Sequence, residues 1–403
     1  MIDLNAGFIP LLDAAILIIA QEQGFAEEQG LGLKLVKETS WANIRDRVSV
    51  GQFDVAHMIA PLPIAQNLGL SPLKVPMVAP FALGLGGNAI TVSNAIFKLM
   101  NAQSGDPAKA GAALRRVVQE RQSQGLPPIG FAVVHGFSVH AYELRYWLAA
   151  CGIHPDRDVS ITIVPPALMS DAMASGAIDG FCVGEPWNSQ TVALGLGEVI
   201  TTKASIWRSS PEKILGMRRS WAEQEPEILS KLIIALHNSA NWCADLANAE
   251  KLATQLAIPK YVGVDEKILL KGLRGDVLRN QKQDDFLVFA DRAANFPWVS
   301  HALWIYSQML RWGQISHSDG GQKTAAESYR PDLYRAALAP LGVSLPCANS
   351  KIEGGFLQTT MVPATKGLIS LGPDGFFDGV AFDPDHINGY LQNLSSIVAL
   401  HKD

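Results

Sequence analysis

In "VGQFDVAHMIAPLP" (residues 50 to 63) a glycine closes a helical pattern, a short apolar run follows, and a proline opens the next helix. The same order returns in "SGAIDGFCVGEPWN" (175 to 188), so that Gly51, Phe53, Asp54 and Pro61 stand 125 residues before Gly176, Ile178, Asp179 and Pro186. Glycine suits the residue just past a helix end and proline the first turn of a new helix. Repeated at this distance, the pattern predicts two similar α/β lobes. Each presents a strand end and a helix N-terminus to a shared crevice, which is where open α/β sheets bind ligands.

Outward from these two stretches, strands read at "LNAGFI" (4 to 9), "LKLVKE" (33 to 38), "DVAHMI" (54 to 59), "VPMVAPF" (75 to 81), "AITVS" (89 to 93), "IGFAVV" (129 to 134), "SITIVP" (160 to 165) and "DGFCVG" (179 to 184). Helical patterns between them make crossover units, so the sheets are expected to be largely parallel. After residue 220 long helices take over: 225 to 257, 301 to 314 and 330 to 342. The division expected is residues 1–87 for the first part of lobe I, 88–205 for lobe II, and 206–403 for a return to lobe I with a helical C-terminal region. Hinges fall near 84 to 90 and 200 to 213.

Composition narrows the function. With 48% apolar and 18% charged residues the 403-residue chain has ample material for a large core. A net charge of −5 with no basic run argues against a nucleic-acid backbone or an anionic membrane as partner. The apolar run from Ala14 to Ala20 has no basic segment before it, and Asp3 and Asp13 interrupt the opening that leads to it, so it reads as neither signal peptide nor membrane span. Cys151, Cys182, Cys243 and Cys347 are widely spaced and read as reduced, buried thiols. These features together suggest the cytoplasm; a leader encoded upstream and removed would make it the periplasm.

No nucleophile elbow, phosphate loop or dinucleotide fingerprint is present, and "LGLGGNAI" (83 to 90) leads into a strand instead of a helix. His135 and His140, five apart, share no helix face and no acidic or thiol partner at ligand spacing, which argues against a metal site. What stands out is a set of polar groups at element ends. Trp41 in "SWANIRD" sits where a strand gives way to a helix, as core plug or as cleft wall with an indole N–H to offer. His140 begins the helix "AYELRYWLAACG", Gly184 ends a strand, and Lys213 lies in "SSPEKILGM", a turn that usually faces solvent.

The stretches "GFIPLLDAAILIIAQEQGFAEEQGL", "SWANIRDRVSVGQFDVAHMIAPLP", "GNAITVS", "HAYELRYWLAACGIHPDRDV", "DGFCVGEPWN" and "FDGVAFDPDHINGYL" occur in this order along the whole chain. They resemble the nitrate- and bicarbonate-binding proteins of bacterial ABC transporters and their cytoplasmic nitrate/nitrite-sensor relatives, the NasS-like branch. The resemblance implies a periplasmic-binding-protein type II fold: two α/β lobes, a ligand cleft between them and a helical C-terminal extension. It implies an anion held by Trp41, Asn88, His140, Gly184 and Lys213, with no metal and no cofactor. Asn88 stands where nitrate binders carry a glutamine, an amide one methylene shorter, which leaves room for nitrite or a bridging water.

Such a donor set suits nitrate, a flat anion with one charge spread over three oxygens. Lys213 supplies about 4 kcal/mol of attraction at ~4 Å and an effective dielectric of ~20. Each hydrogen bond to the charged acceptor adds roughly 1.5 to 3 kcal/mol, enough for micromolar affinity after the costs of association. The bicarbonate branch implies a bound calcium ion, which a lysine beside the oxyanion disfavours. On this footing Trp41 reads as a cleft wall. The expected function is a non-enzymatic cytoplasmic sensor of nitrate or nitrite. Its implied partner is an RNA-binding antiterminator, held when the anion is absent and released when it binds. The alternatives are the solute-binding receptor of an ABC-type nitrate/nitrite or bicarbonate importer and, more remotely, an enzyme on the same fold.

Overall fold

The computed structural model of the chain describes residues 1–102 and 105–400. Its strands are β1 (Ile2–Phe8), β2 (Leu31–Lys37), β3 (Val55–Ile59), β4 (Met77–Ala82), β5 (Leu85–Gly86), β6 (Asn88–Ser93), β7 (Ile129–Val133), β8 (Val159–Ile163), β9 (Gly180–Gly184), β10 (Gly197–Thr202), β11 (Lys213–Arg218), β12 (Leu287–Val288), β13 (Thr360–Pro363) and β14 (Leu368–Leu371). Two five-stranded sheets form, in the orders β2-β1-β3-β11-β4 and β8-β7-β9-β6-β10. Read side by side the two orders are one topology. In each, the first strand lies parallel to the second and third, and the third is flanked on its other side by an antiparallel strand.

The repeat seen in the sequence marks the third strand of each sheet. Gly51 and Gly176 both take positive φ, at 81° and 73°. Asp54 accepts a hydrogen bond from the Asn5 amide at 2.8 Å, and Asp179 accepts one from the Gly130 amide at 2.8 Å. Each aspartate thus pins its strand to the first strand of its own sheet. The sheets are mixed, not largely parallel as the crossover pattern suggested. β6 pairs antiparallel with β9 and β10, and β11 antiparallel with β3 and β4. These are the strands by which the chain passes from one lobe to the other, so they enter without a crossover helix, and nothing forces the parallel sense upon them.

Helices cover both faces of the first sheet. Ala15–Glu22 packs with Pro226–Ala244 over one face, around Phe8, Ile16, Leu215 and Leu232. Trp41–Ser49 and Pro61–Asn67 pack on the other. The second core continues from there through lobe II, so the lobes share buried apolar contacts along the C-terminal helices; the helix Val299–Arg311 packs against both Pro61–Asn67 and Val139–Ala150. The pattern read as one helix over 225 to 257 is two, Pro226–Ala244 and Ala249–Ala257, separated where the Asp245 side chain caps a 3-10 turn by accepting from the Ala247 amide. Cys182 and Cys243 are buried as expected, whereas Cys151 is half-buried and Cys347 exposed.

Both passages between the lobes are held by the C-terminal region. At the first, β5 pairs with β12, and the Gly87 amide donates to the Phe286 carbonyl. At the second, Trp207 stacks on Phe376 with ring centroids 4.5 Å apart, the Arg208 amide donates to the Gly375 carbonyl, and the Phe377 amide to Ile206. The glycines of "LGLGG" are therefore needed for close approach: a Cβ on Gly86, at φ 77°, would lie 2.2 Å from the Phe286 carbonyl oxygen. Gly86→Ala is expected to lower unfolding free energy in urea by roughly 3 to 5 kcal/mol through backbone overlap. Gly69→Ala, at φ 78° with nothing within 4 Å, is expected to cost only the about 1 to 2 kcal/mol of a left-handed alanine.

Candidate functional site

Where the carboxyl ends of the parallel strands of the two sheets face each other, local sequence sets polar groups one by one. After β2, Ser40 caps the helix Trp41–Ser49 by accepting from the Asn43 amide at 3.2 Å, which fixes Trp41 as the first helical residue. After β7, Ser138 caps Val139–Ala150 in the same way, at 3.1 Å from the Ala141 amide, and so places His140 in the first turn. Asn88 opens β6 and pairs in register with Gly184 at the end of β9. A Cβ on Gly184 would come within 3.2 Å of the Asn88 side-chain oxygen, so the glycine leaves room for that amide. Lys213 opens β11, opposite Ile59 at the end of β3.

All five residues named from the sequence meet here, and all are buried. Lys213 is 1% exposed, contrary to the surface turn its local sequence suggests, because its ammonium is drawn inward by Asp13 Oδ2 at 2.9 Å and Glu212 Oε1 at 2.6 Å. Trp41, 1% exposed, lies under that ammonium with 5.4 Å from Nζ to the ring centroid. Its edge meets the His57 ring, centroids 5.3 Å apart. Trp41 therefore belongs to the core and packs beneath the Lys213 ammonium at the same time. Its Nε1 and both His140 ring nitrogens have no hydrogen-bond partner among the described residues.

Five further groups complete the site and were not singled out from sequence: Asp13, His57, Glu143, Lys203 and Glu212. Glu212 is the centre. Its Oε1 accepts from Lys213 and lies 3.2 Å from His140 Nδ1, out of line for a hydrogen bond; its Oε2 accepts from Asn88 Nδ2 at 2.7 Å and from Lys203. Asp13 holds His57 Nε2 at 2.8 Å as well as Lys213. Lys203 lies 3.3 Å from Glu143. The available signals were polar residues inside apolar runs: Asp13 in "LLDAAILIIA", His57 in "DVAHMI" and Lys203 in "ITTKASIW". A buried ion must be paired, so each such interruption asks for a partner.

Protonation follows from this packing. Burial raises the Asp13 carboxyl, but Lys213 and His57 overcome it and hold the pKa at about 2. Burial also works against the Glu212 anion, yet His140, Lys203 and Lys213 bring its pKa far below the ordinary range. Burial lowers His140 to about 3 against the pull of Glu212, and lowers His57 too, so both imidazoles are neutral. Glu143 goes the other way, pushed up by burial to about 8 with Lys203 only partly opposing. At neutral pH, Lys203 and Lys213 thus balance Asp13 and Glu212. A metal cation finds little here, since ammonium groups occupy the carboxylate oxygens it would need.

Glu143 supplies a measurable sign. Its folded pKa is above the unfolded value, so the native state keeps a proton that the unfolded chain releases, and stability falls as pH rises towards 8. Between pH 6.5 and 8 this group is expected to cost the wild type on the order of 1 kcal/mol per pH unit in urea unfolding. Glu143→Gln should flatten that slope.

Comparison with known proteins gives the kinship of this site. The NMT1-like family model matches residues 2–257. The nitrate/nitrite binding protein NrtA of Synechococcus elongatus is 33% identical over 401 residues, covering 96% of this chain and 85% of that protein. The nitrate import ATP-binding protein NrtC of Synechocystis sp. is 34% identical over 409 residues, and the bicarbonate transport ATP-binding protein CmpC of Synechococcus elongatus 31% identical over 410. Both match all of this chain, which spans 56% of the length of each. The crystal structure of the periplasmic nitrate-binding protein NrtA from Synechocystis PCC 6803 superposes with a TM-score of 0.85 at 28% identity, covering 97% of this chain and 98% of that one. Further solute receptors, such as the alkanesulfonate-binding protein SsuA from Xanthomonas axonopodis, share the fold at 15% identity and a TM-score of 0.55, over 77% of this chain and 94% of that one. By sequence and by fold, the chain is a member of the NMT1-like family, with periplasmic-binding-protein architecture and NrtA nitrate/nitrite-binding proteins among its relatives.

Proposed function

We propose that the chain binds nitrate or nitrite in the cleft between its lobes, as the solute-binding component of an ABC-type importer. The observation that carries this reading is the donor set around one planar carboxylate, that of Glu212. Asn88, Lys203 and Lys213 donate to it and His140 lies beside it. A site that surrounds a flat, singly charged, oxygen-bearing group with donors from both lobes has the chemistry a small planar oxyanion requires. Trp41 Nε1 and the His140 ring add donors with no partner of their own. The ammoniums of Lys203 and Lys213 on the Asp13 and Glu212 carboxylates favour nitrate or nitrite over bicarbonate with calcium.

Kinship to NrtA proteins supports the receptor reading over the cytoplasmic sensor expected from the N-terminal sequence. Sensing stays as a second reading, since the chain is also similar to part of an ATP-binding protein, the nitrate import protein NrtC. In that reading the partner is an RNA-binding antiterminator. No helix among the described residues is long and apolar enough to cross a membrane. Fractionation of the native gene product separates the two: a periplasmic product supports the receptor, and a cytoplasmic product with an antiterminator released by nitrate supports the sensor.

Calorimetry with chelator present is expected to show micromolar binding of nitrate or nitrite. Trp41→Phe keeps the ring and removes the N–H, and should weaken binding about 10- to 100-fold, the worth of one hydrogen bond to a charged acceptor. Binding that needs Ca²⁺, or that is indifferent to Trp41→Phe, would contradict this site.

A further inference from the structure

Glu212 does not behave as a bystander to the anion site. Its carbonyl accepts from the Ala60 amide at 3.0 Å, which ties the residue to lobe I. Its side chain reaches across to Asn88, His140 and Lys203, all carried by lobe II, while Lys213 of lobe I holds the same carboxylate. Three of these four groups, Asn88, His140 and Lys213, are those proposed to hold nitrate or nitrite. A carboxylate is planar and spreads one negative charge over two oxygens, the shape and charge of nitrite. We propose that Glu212 is an internal stand-in for the ligand: its carboxylate holds the donor set closed, and an incoming planar oxyanion takes its place while the His140–Glu212 pair takes up one proton from solvent. The inference rests on the anion-binding reading and adds its regulation by pH.

Charge balance requires the proton. The titratable groups facing the carboxylate are buried: Asp13, His57 and Lys213 from lobe I, and His140, Glu143, Cys182 and Lys203 from lobe II. Tyr329 also comes near, with its phenol donating to the Ala60 carbonyl at 3.3 Å. At pH 7 two ammoniums already balance two carboxylates, with both imidazoles neutral and Glu143 mostly protonated. An added anion would leave a net buried negative charge, at a cost far above that of a proton. His140 and Glu212, 3.2 Å apart, are the pair placed to receive it, and they titrate as a unit. Asp13 is less suited, since it keeps both Lys213 and His57.

The test is calorimetric titration of the full chain with sodium nitrate and sodium nitrite from pH 6 to 8.5, in two buffers of different ionisation enthalpy. The inference expects uptake of about one proton per anion and a Kd that rises about tenfold per pH unit. It expects Glu212→Gln, which removes the internal charge, to bind nitrate at least tenfold more tightly at pH 8 with no proton uptake. Wild-type binding with no proton uptake and a flat Kd overturns the inference and leaves the anion site standing, as does a folded Glu212→Gln that binds no more tightly. If the variant does not fold, wild-type proton uptake alone decides. No binding of either anion at any pH overturns the proposed function and the inference together.

Discussion

The ammonium of Lys213 between the carboxylates of Asp13 and Glu212 is the contact on which the cleft depends. A single buried ion of this kind would cost several kcal/mol to desolvate, so the chain has to bring its partners to it. Asp13 arrives from the 3-10 turn Leu12–Ala14 that follows β1, and Glu212 from the turn before β11. Glu212 in turn holds Asn88 and Lys203 of the other lobe. Removing any one charged member leaves the set with one unbalanced charge in a place water does not reach. The cluster therefore fixes how the lobes meet, and the apolar packing around it, from Trp41 to Cys182, is what makes each pairing strong.

A duplicated topology puts these groups face to face. Each sheet offers the carboxyl ends of its three parallel strands, with the antiparallel passage strand beside them starting where they end. Lys213 and Asn88 are the first residues of those two strands, β11 and β6, and they occupy equivalent places in the two lobes. Asp54 and Asp179 do the same further back. One lobe contributes a cation at that position and the other an amide, so similar scaffolds supply complementary chemistry across the cleft.

The repeat and the cores of eight strands were legible in the sequence, since glycine stops and apolar runs are local signals, whereas the five proposed contact residues came as a set only from the family resemblance. What escaped was decided by distance along the chain. β11 begins "KILGM" after Pro211 and Glu212, and nothing within a few residues says that Lys213 goes inward; the reason is Asp13, two hundred residues earlier. β10, "GEVITT", packs only once β6 is beside it. Asp13 was read as an interruption that argued against a membrane segment. The same interruption, asked what a buried carboxylate pairs with, points to a cation elsewhere. Glu212 adjoins Lys213, and a Glu-Lys pair after a proline carries no local sign that both charges turn inward.

The C-terminal region limits how the cleft can open. β12 pairs with β5 at one passage and Phe376 stacks on Trp207 at the other, while Val299–Arg311 packs on helices of both lobes. At the cleft itself the Leu12 amide donates to the Glu185 carbonyl at 2.8 Å, and Trp187 Nε1 to the Pro10 carbonyl at 3.0 Å. A hinge clasped at both passages has little freedom to twist, so the motion left to it is a rocking that parts the Leu12–Glu185 and Trp187–Pro10 contacts. That motion also draws Glu212 away from Asn88, His140 and Lys203, because it rides on lobe I and they ride on lobe II. On the proposed reading, such an opening would strip the internal carboxylate and free the donors in one step, and closing would restore the same charge balance around whichever oxyanion, internal or external, lay between the two lysines.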